Sequence, residues 1–104
     1  MMLLTDQEKI MLVFYYYINE MHQDNIRFMM RKAKHKIWNG GNGMKTFYDT
    51  QKSLLNKQLL KKETPSASFV FVTPIGRLVV EQQLTHLVIC VQKMLEPQDE
   101  FSIL

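Results

Sequence analysis

Residues 46–60 read Thr-Phe-Tyr-Asp-Thr-Gln-Lys-Ser-Leu-Leu-Asn-Lys-Gln-Leu-Leu, and residues 73–77 read Thr-Pro-Ile-Gly-Arg. These two stretches decide the fold. In the first, Thr46 is placed to cap a helix over roughly 47–59, with Phe47, Leu54, Leu55 and Gln58 on its inner side. In the second, Pro74 has the fixed φ that suits the first turn of a helix. That helix is expected to continue to Leu95, where Glu96-Pro97 ends it. Between them, Glu63-Thr-Pro-Ser-Ala-Ser68 reads as a turn, and Phe69-Val-Phe-Val-Thr73 as a short β-branched and aromatic strand.

Upstream, Thr5 is an N-cap residue and Glu8, three positions on, completes a capping box. The helix they open is expected to reach about Met21. Ile10, Val13, Phe14, Tyr17, Ile18 and Met21 form a stripe for the domain's own core. Met11, Leu12, Tyr15 and Tyr16 form a second apolar stripe, which requires its own cover. Asp24 or Asn25 can cap a further helix over 26–37, with Ile26, Met29, Met30, Ala33 and Ile37 inward. Asn39-Gly-Gly-Asn-Gly43 stops it, because these residues tolerate positive φ. The expected order is helix, helix, helix, hairpin, helix. The fold class is mainly α with a small β-hairpin, in one domain over 1–96 followed by a loose tail at 97–104.

With 104 residues, 46% of them hydrophobic, the chain can build one core. Its net charge of +3 is unevenly spread. Residues 27–62 hold ten Lys or Arg against the single acid Asp49, a balance of +9. Residues 1–26 and 63–104 each carry −3. A basic middle between acidic ends suits one surface to a polyanion, although a solvated lysine-rich face has the same composition. The lone Cys90 cannot form an internal disulfide, which favours a reducing cytoplasm. The longest uncharged apolar run, 10–18, is half of what a bilayer span needs, and no signal peptide is evident at the start. The expectation is a soluble cytoplasmic protein with no membrane partner.

The two stretches resemble winged-helix regulators of the MarR and PadR kind. Those carry a recognition helix with Thr or Ser at its start, an apolar residue at +1, a leucine at +8 and a Leu-Ile pair at +13 and +14. Thr46, Phe47, Leu54, Leu59 and Leu60 occupy those places. After the wing, the family returns by a strand into a Thr-Pro-x-Gly-Arg segment, here Thr73 to Arg77. The similarity covers 46–82 and implies a winged helix-turn-helix. Two positions depart from it. Gln51 stands at the usually apolar +5, and Gln58 at the usual +12 glycine, which predicts a tighter or shifted turn into the wing. The break at 39–43 is also longer than the usual helix-turn-helix corner. TubR-like centromere-binding adaptors of plasmid-partition systems share the layout and are an equal match on these residues.

On such a helix, Lys45, Tyr48, Asp49, Lys52, Ser53 and Asn56 project outward along a ridge that a major groove admits. Lys45 and Thr46 suit phosphates at the helix start, Lys52 suits guanine, Asn56 adenine, and Tyr48 a phosphate or a thymine methyl. Lys61 and Lys62 at the base of the wing and Ser66 at its tip suit phosphate or minor-groove contact. Arg31, Lys32, Lys34 and Lys36 suit the flanking backbone. Leu84, Leu87, Val88, Val91 and Leu95 form an apolar stripe on the last helix. Together with Met11, Leu12, Tyr15 and Tyr16 it implies a twofold homodimer.

Other chemistries find little support. His86 and Cys90 lie four apart on one helix face, but two ligands are too few for a metal, and Cys90 is expected to be a buried thiol. Gly40 to Gly43 lacks the strand and Gly-Lys-Ser/Thr of a phosphate loop. No paired carboxylates accompany a nucleophile, so no catalytic residues, metal or cofactor are assigned and an enzyme is not expected. The expected function is sequence-specific duplex-DNA binding as a dimeric repressor that works by occlusion. A plasmid or phage partition or replication adaptor, and a winged-helix module that grips a protein partner, are the alternatives.

Overall fold

A computed structural model describes residues 3–18, 21–22, 26 and 43–95. The expected helix over 26–37 with Arg31, Lys32, Lys34 and Lys36, the break at 39–42 and the tail at 97–104 lie outside the described residues, Ile26 apart. Among the described residues, the elements with given bounds follow one another as α1 (Asp6–Ile18), β1 (Met21–His22), α2 (Gly43–Asn56), β2 (Leu60–Lys61), β3 (Phe69–Val72), α3 (Pro74–Gln83) and α4 (Thr85–Leu95). The protein is mainly helical with a small antiparallel sheet. β3 is the central strand, flanked by β1 and β2. Met21 pairs with Val70 and His22 with Phe69 on one side, Leu60 with Val72 and Lys61 with Phe71 on the other.

α1 starts as its sequence requires. The Thr5 N–H donates to Glu8 Oε1 at 2.9 Å and the Glu8 N–H donates to Thr5 Oγ1 at 3.1 Å, satisfying two backbone donors of the first turn reciprocally. The helix ends at Ile18, earlier than expected, because Met21 is taken into β1. Its faces are also used differently. Met11, Leu12, Val13, Phe14 and Tyr15 are all fully buried within the single chain, whereas Tyr17 is exposed and Ile10 and Ile18 are half-buried. Three of the four residues that were to await a partner subunit, Met11, Leu12 and Tyr15, are therefore as buried as Val13 and Phe14, and Tyr16 is half-buried.

The cover comes from the end of the described chain. In place of one helix from Pro74 to Leu95, the segment breaks at Leu84, whose φ of −122° and ψ of 18° leave the helical region. The Leu84 N–H still donates to Val80 O, and Leu84 O accepts from the N–H of Leu87 at 2.9 Å and of Val88 at 3.2 Å. The bend lets α4 pack on α1, the most extensive pairing among the described elements. Leu84 and Val91 go into the core, while Leu87 and Val88 are half-buried. Five residues expected at a subunit interface (Met11, Leu12, Tyr15, Leu84 and Val91) are thus covered by their own chain. The sequence pattern registered the demand for cover but not its source. Among the described residues, Ile75, Leu78 and Ile89 are large apolar side chains that α3 and α4 leave exposed.

α1 is tied to α3 at its surface. The Tyr16 hydroxyl donates to Glu81 Oε2 at 3.0 Å, and the Arg77 guanidinium lies 5.5 Å from the centre of the Tyr16 ring. The bond to the Glu81 carboxylate holds the phenol above its ordinary range.

Candidate nucleic-acid interface

α2 begins at Gly43, so Thr46 lies within its first turns rather than at its cap, and Gly43 belongs to the helix rather than to the break before it. Burial along it sets its rotation. Phe47, Thr50, Gln51 and Leu54 are buried, Leu55 is half-buried, and Asp49, Lys52 and Asn56 are exposed. The inner face therefore includes Thr50 and Gln51 and excludes Gln58, which lies beyond the helix end and is exposed. Gln51 is buried as a polar residue because the Tyr15 hydroxyl donates to its Oε1, so the +5 departure is answered from α1.

The end of α2 resolves the second departure. Gln58 has φ 62°, its N–H donates to Leu55 O, and the Leu59 N–H donates to Leu54 O, both at 3.0 Å. This is a Schellman motif, with Leu54 and Leu59 buried at its two apolar positions. Gln58 thus adopts the left-handed conformation for which glycine is the usual residue. The turn forms with a side chain that carries about 1–2 kcal/mol of conformational strain.

The Thr-Pro-x-Gly segment locks onto that turn. Thr73 caps α3 by accepting from the Gly76 N–H at 2.9 Å, with Pro74 in the first turn. The same hydroxyl donates to Gln58 O at 2.6 Å, and the Thr73 N–H donates to Leu59 O at 3.1 Å. Gly76 is pressed so close that a Cβ there would lie 2.2 Å from Leu59 O. The two stretches that looked separately meaningful in sequence are the two halves of one joint.

A buried carboxylate fixes the other side of α2. Glu8 Oε2 accepts from Ser53 Oγ at 2.7 Å and from Lys57 Nζ at 2.6 Å. Burial raises the Glu8 pKa, but the bonds from Lys57, the Thr5 N–H and Ser53 outweigh it, and the net shift is downward. Ser53, expected on the outward ridge, is therefore turned to α1. Lys57, one of the ten cations of the basic middle, is neutralised in the same cluster.

What remains outward is compact. Tyr48, Lys52, Asn56, Lys61 and Lys62 line an open groove of about 670 Å³ between α2 and the hairpin, with Leu55, Leu60 and Pro65 among its apolar lining. Lys52, Asn56 and Lys61 are exposed, and Lys62 and Tyr48 half-buried. Thr46 is half-buried, and the side chain of Lys45 lies outside the described residues, as does that of Leu95. At the hairpin tip the Ala67 N–H donates to Thr64 O at 3.0 Å, and the hydroxyls of Thr64 and exposed Ser66 lie 3.4 Å apart. Sequence reasoning missed Glu8, whose capping role was legible but whose ties to Ser53 and Lys57 span the fold.

Among the described residues, no group of three or more His, Cys, Asp or Glu is placed to hold a metal ion, and no helix is long and apolar enough to cross a membrane. Cys90 is exposed, not buried as expected. Comparison with protein-family models, curated proteins and solved structures finds no match.

Proposed function

We propose that the protein is a winged helix-turn-helix that binds duplex DNA, with α2 as the recognition helix and the β2–β3 hairpin as the wing. The observation that carries this reading is the groove between α2 and the hairpin. Lys52, Lys61 and Lys62 gather there beside exposed Asn56, on a helix held firmly from behind. A rigid helix with an exposed polar ridge is the element a major groove admits, and lysines at the wing base suit the adjoining phosphates. A homodimer remains part of the proposal, since a second copy doubles a small set of contacts across a twofold site. Repression by occlusion is the favoured role, and a partition adaptor uses the same surface.

The test is binding to random duplex at a series of salt concentrations. We expect a steep fall of affinity with salt, and a slope smaller by roughly one unit for each of Lys61 and Lys62 replaced by Gln, if each holds one phosphate. Binding should weaken at every salt concentration when Lys52, which faces a base pair, is replaced with them. A shallow slope, unchanged in the triple variant, would instead mark a module for a protein partner.

A further inference from the structure

Asp49 is the one acid among residues 27–62, and it is exposed on α2 beside the groove assigned to DNA, on the same ridge as Lys52 and Asn56. Its side chain is exposed, with no ion pair or hydrogen bond among the described residues; Lys52, one turn on, is exposed and leaves it unpaired. A carboxylate there opposes every phosphate contact around it. The other acids near α2 have structural duties or lie at its margins: Glu8 is consumed by Ser53 and Lys57, and Glu63 lies in the hairpin.

The helical positions of Asp49, Lys52 and Asn56 fall within about 60° of one another around the axis and span about 10 Å along it. That is roughly three base-pair rises of about 3.4 Å. We propose that Asp49 is a specificity determinant that accepts a hydrogen bond from the N4 amino group of a cytosine, next to a base pair contacted by Lys52. This rests on the DNA-binding reading above and adds the chemistry of one recognised base. An ionised carboxylate has acceptors only, and cytosine is a base that offers an amino donor in the major groove without an adjacent N7 acceptor. Thymine presents a carbonyl oxygen at the same place, so the carboxylate repels it. Asp49 thus weakens binding to all DNA and restores it where cytosine stands, which makes it a filter rather than an anchor.

The experiment is selection from a random duplex library by the full chain, in parallel with Asp49→Asn and Asp49→Ala. Each selected site is then compared with its single-pair variants at fixed salt. The expected result is one position where the wild type prefers C·G to T·A by about tenfold or more. Asp49→Ala loses that preference while binding unselected duplex more tightly, and Asn at 49 shifts it toward adenine. Both variants selecting the wild-type sequence with unchanged preference would overturn the assignment while leaving DNA binding intact. A wild type that enriches no sequence and shows a shallow salt slope would overturn the DNA reading itself, and this inference with it. Circular dichroism of the three proteins checks that the exposed substitution has left the fold alone.

Discussion

The Thr73 hydroxyl donates to the Gln58 carbonyl at 2.6 Å while accepting from the Gly76 N–H at 2.9 Å. One side chain therefore closes the C-terminus of α2 and opens α3. The positive φ of Gln58 and the missing Cβ of Gly76 are both conditions of this joint, because the backbone of Leu59 must pass within contact of α3.

Gly76→Ala is expected to lower stability by about 3 kcal/mol, at the upper end for an overpacked site, because the obstructing atom is backbone and cannot rotate away. Gln58→Gly is expected to do the opposite. It removes left-handed strain and adds chain entropy to the unfolded state, for a net gain of about 0.5–1 kcal/mol. Thr73→Ala should lose about 1–2 kcal/mol through the missing cap. Urea unfolding of the three variants against the wild type checks all three signs.

The Glu8 cluster makes stability depend on acid. Its carboxyl titrates below the ordinary value of 4.5 in the folded protein, so its contribution is fully present above about pH 4.5. It is lost as pH falls through the lowered folded value. Glu8→Gln should cost about 1–3 kcal/mol at neutral pH. Its stability should also fall less than the wild type's between pH 5 and about pH 3. Equal acid slopes in the two proteins would mean that Glu8 titrates as an ordinary surface carboxylate.

Tyr15 and Gln51 test whether a polar pair inside the core is worth more than an apolar one. Tyr15→Phe removes the hydroxyl that Gln51 accepts from and should cost about 1–2 kcal/mol. The double variant Tyr15→Phe, Gln51→Leu should recover much of that, since no buried acceptor is then left without this donor. A double-mutant cycle by thermal melting gives the coupling directly.

Neighbouring positions on α4 separate folding from association. Val91 is fully in the core and Ile89 is among the exposed apolar residues. Val91→Glu should unfold the domain, while Ile89→Glu should leave the monomer folded and convert the proposed dimer to monomers in sedimentation. Native protein that sediments as a monomer at micromolar concentration would remove the dimer from the proposed function.

How much was legible in the sequence follows from the range of each signal. The Thr5–Glu8 capping box, the turn after Glu63, the strand at Phe69 and the Pro74 helix start were all readable, because each depends on residues a few positions apart. The outward placement of Asp49, Lys52 and Asn56 was readable from helical period alone. The break at Leu84 was not, since no glycine or proline marks it. It exists because α4 must turn back to cover α1, a tertiary demand with no local sign. The same blindness placed Met11, Leu12 and Tyr15 at a subunit interface. Ser53 was misdirected for a related reason, since its partner Glu8 is 45 residues away in sequence. Gln58 was read as a departure, whereas the backbone simply bears the strain there.

The packing of α4 on α1 also has a consequence for how the chain is made. The first described helix carries five consecutive side chains that, among the described elements, α4 shields most extensively, together with α2, α3 and the sheet. During synthesis α1 leaves the ribosome long before α4 exists, and its apolar surface has no lasting cover until then. The domain is therefore completed late and all at once. A nascent chain halted before Thr85 should be a ready client for a chaperone, whereas the released protein should not.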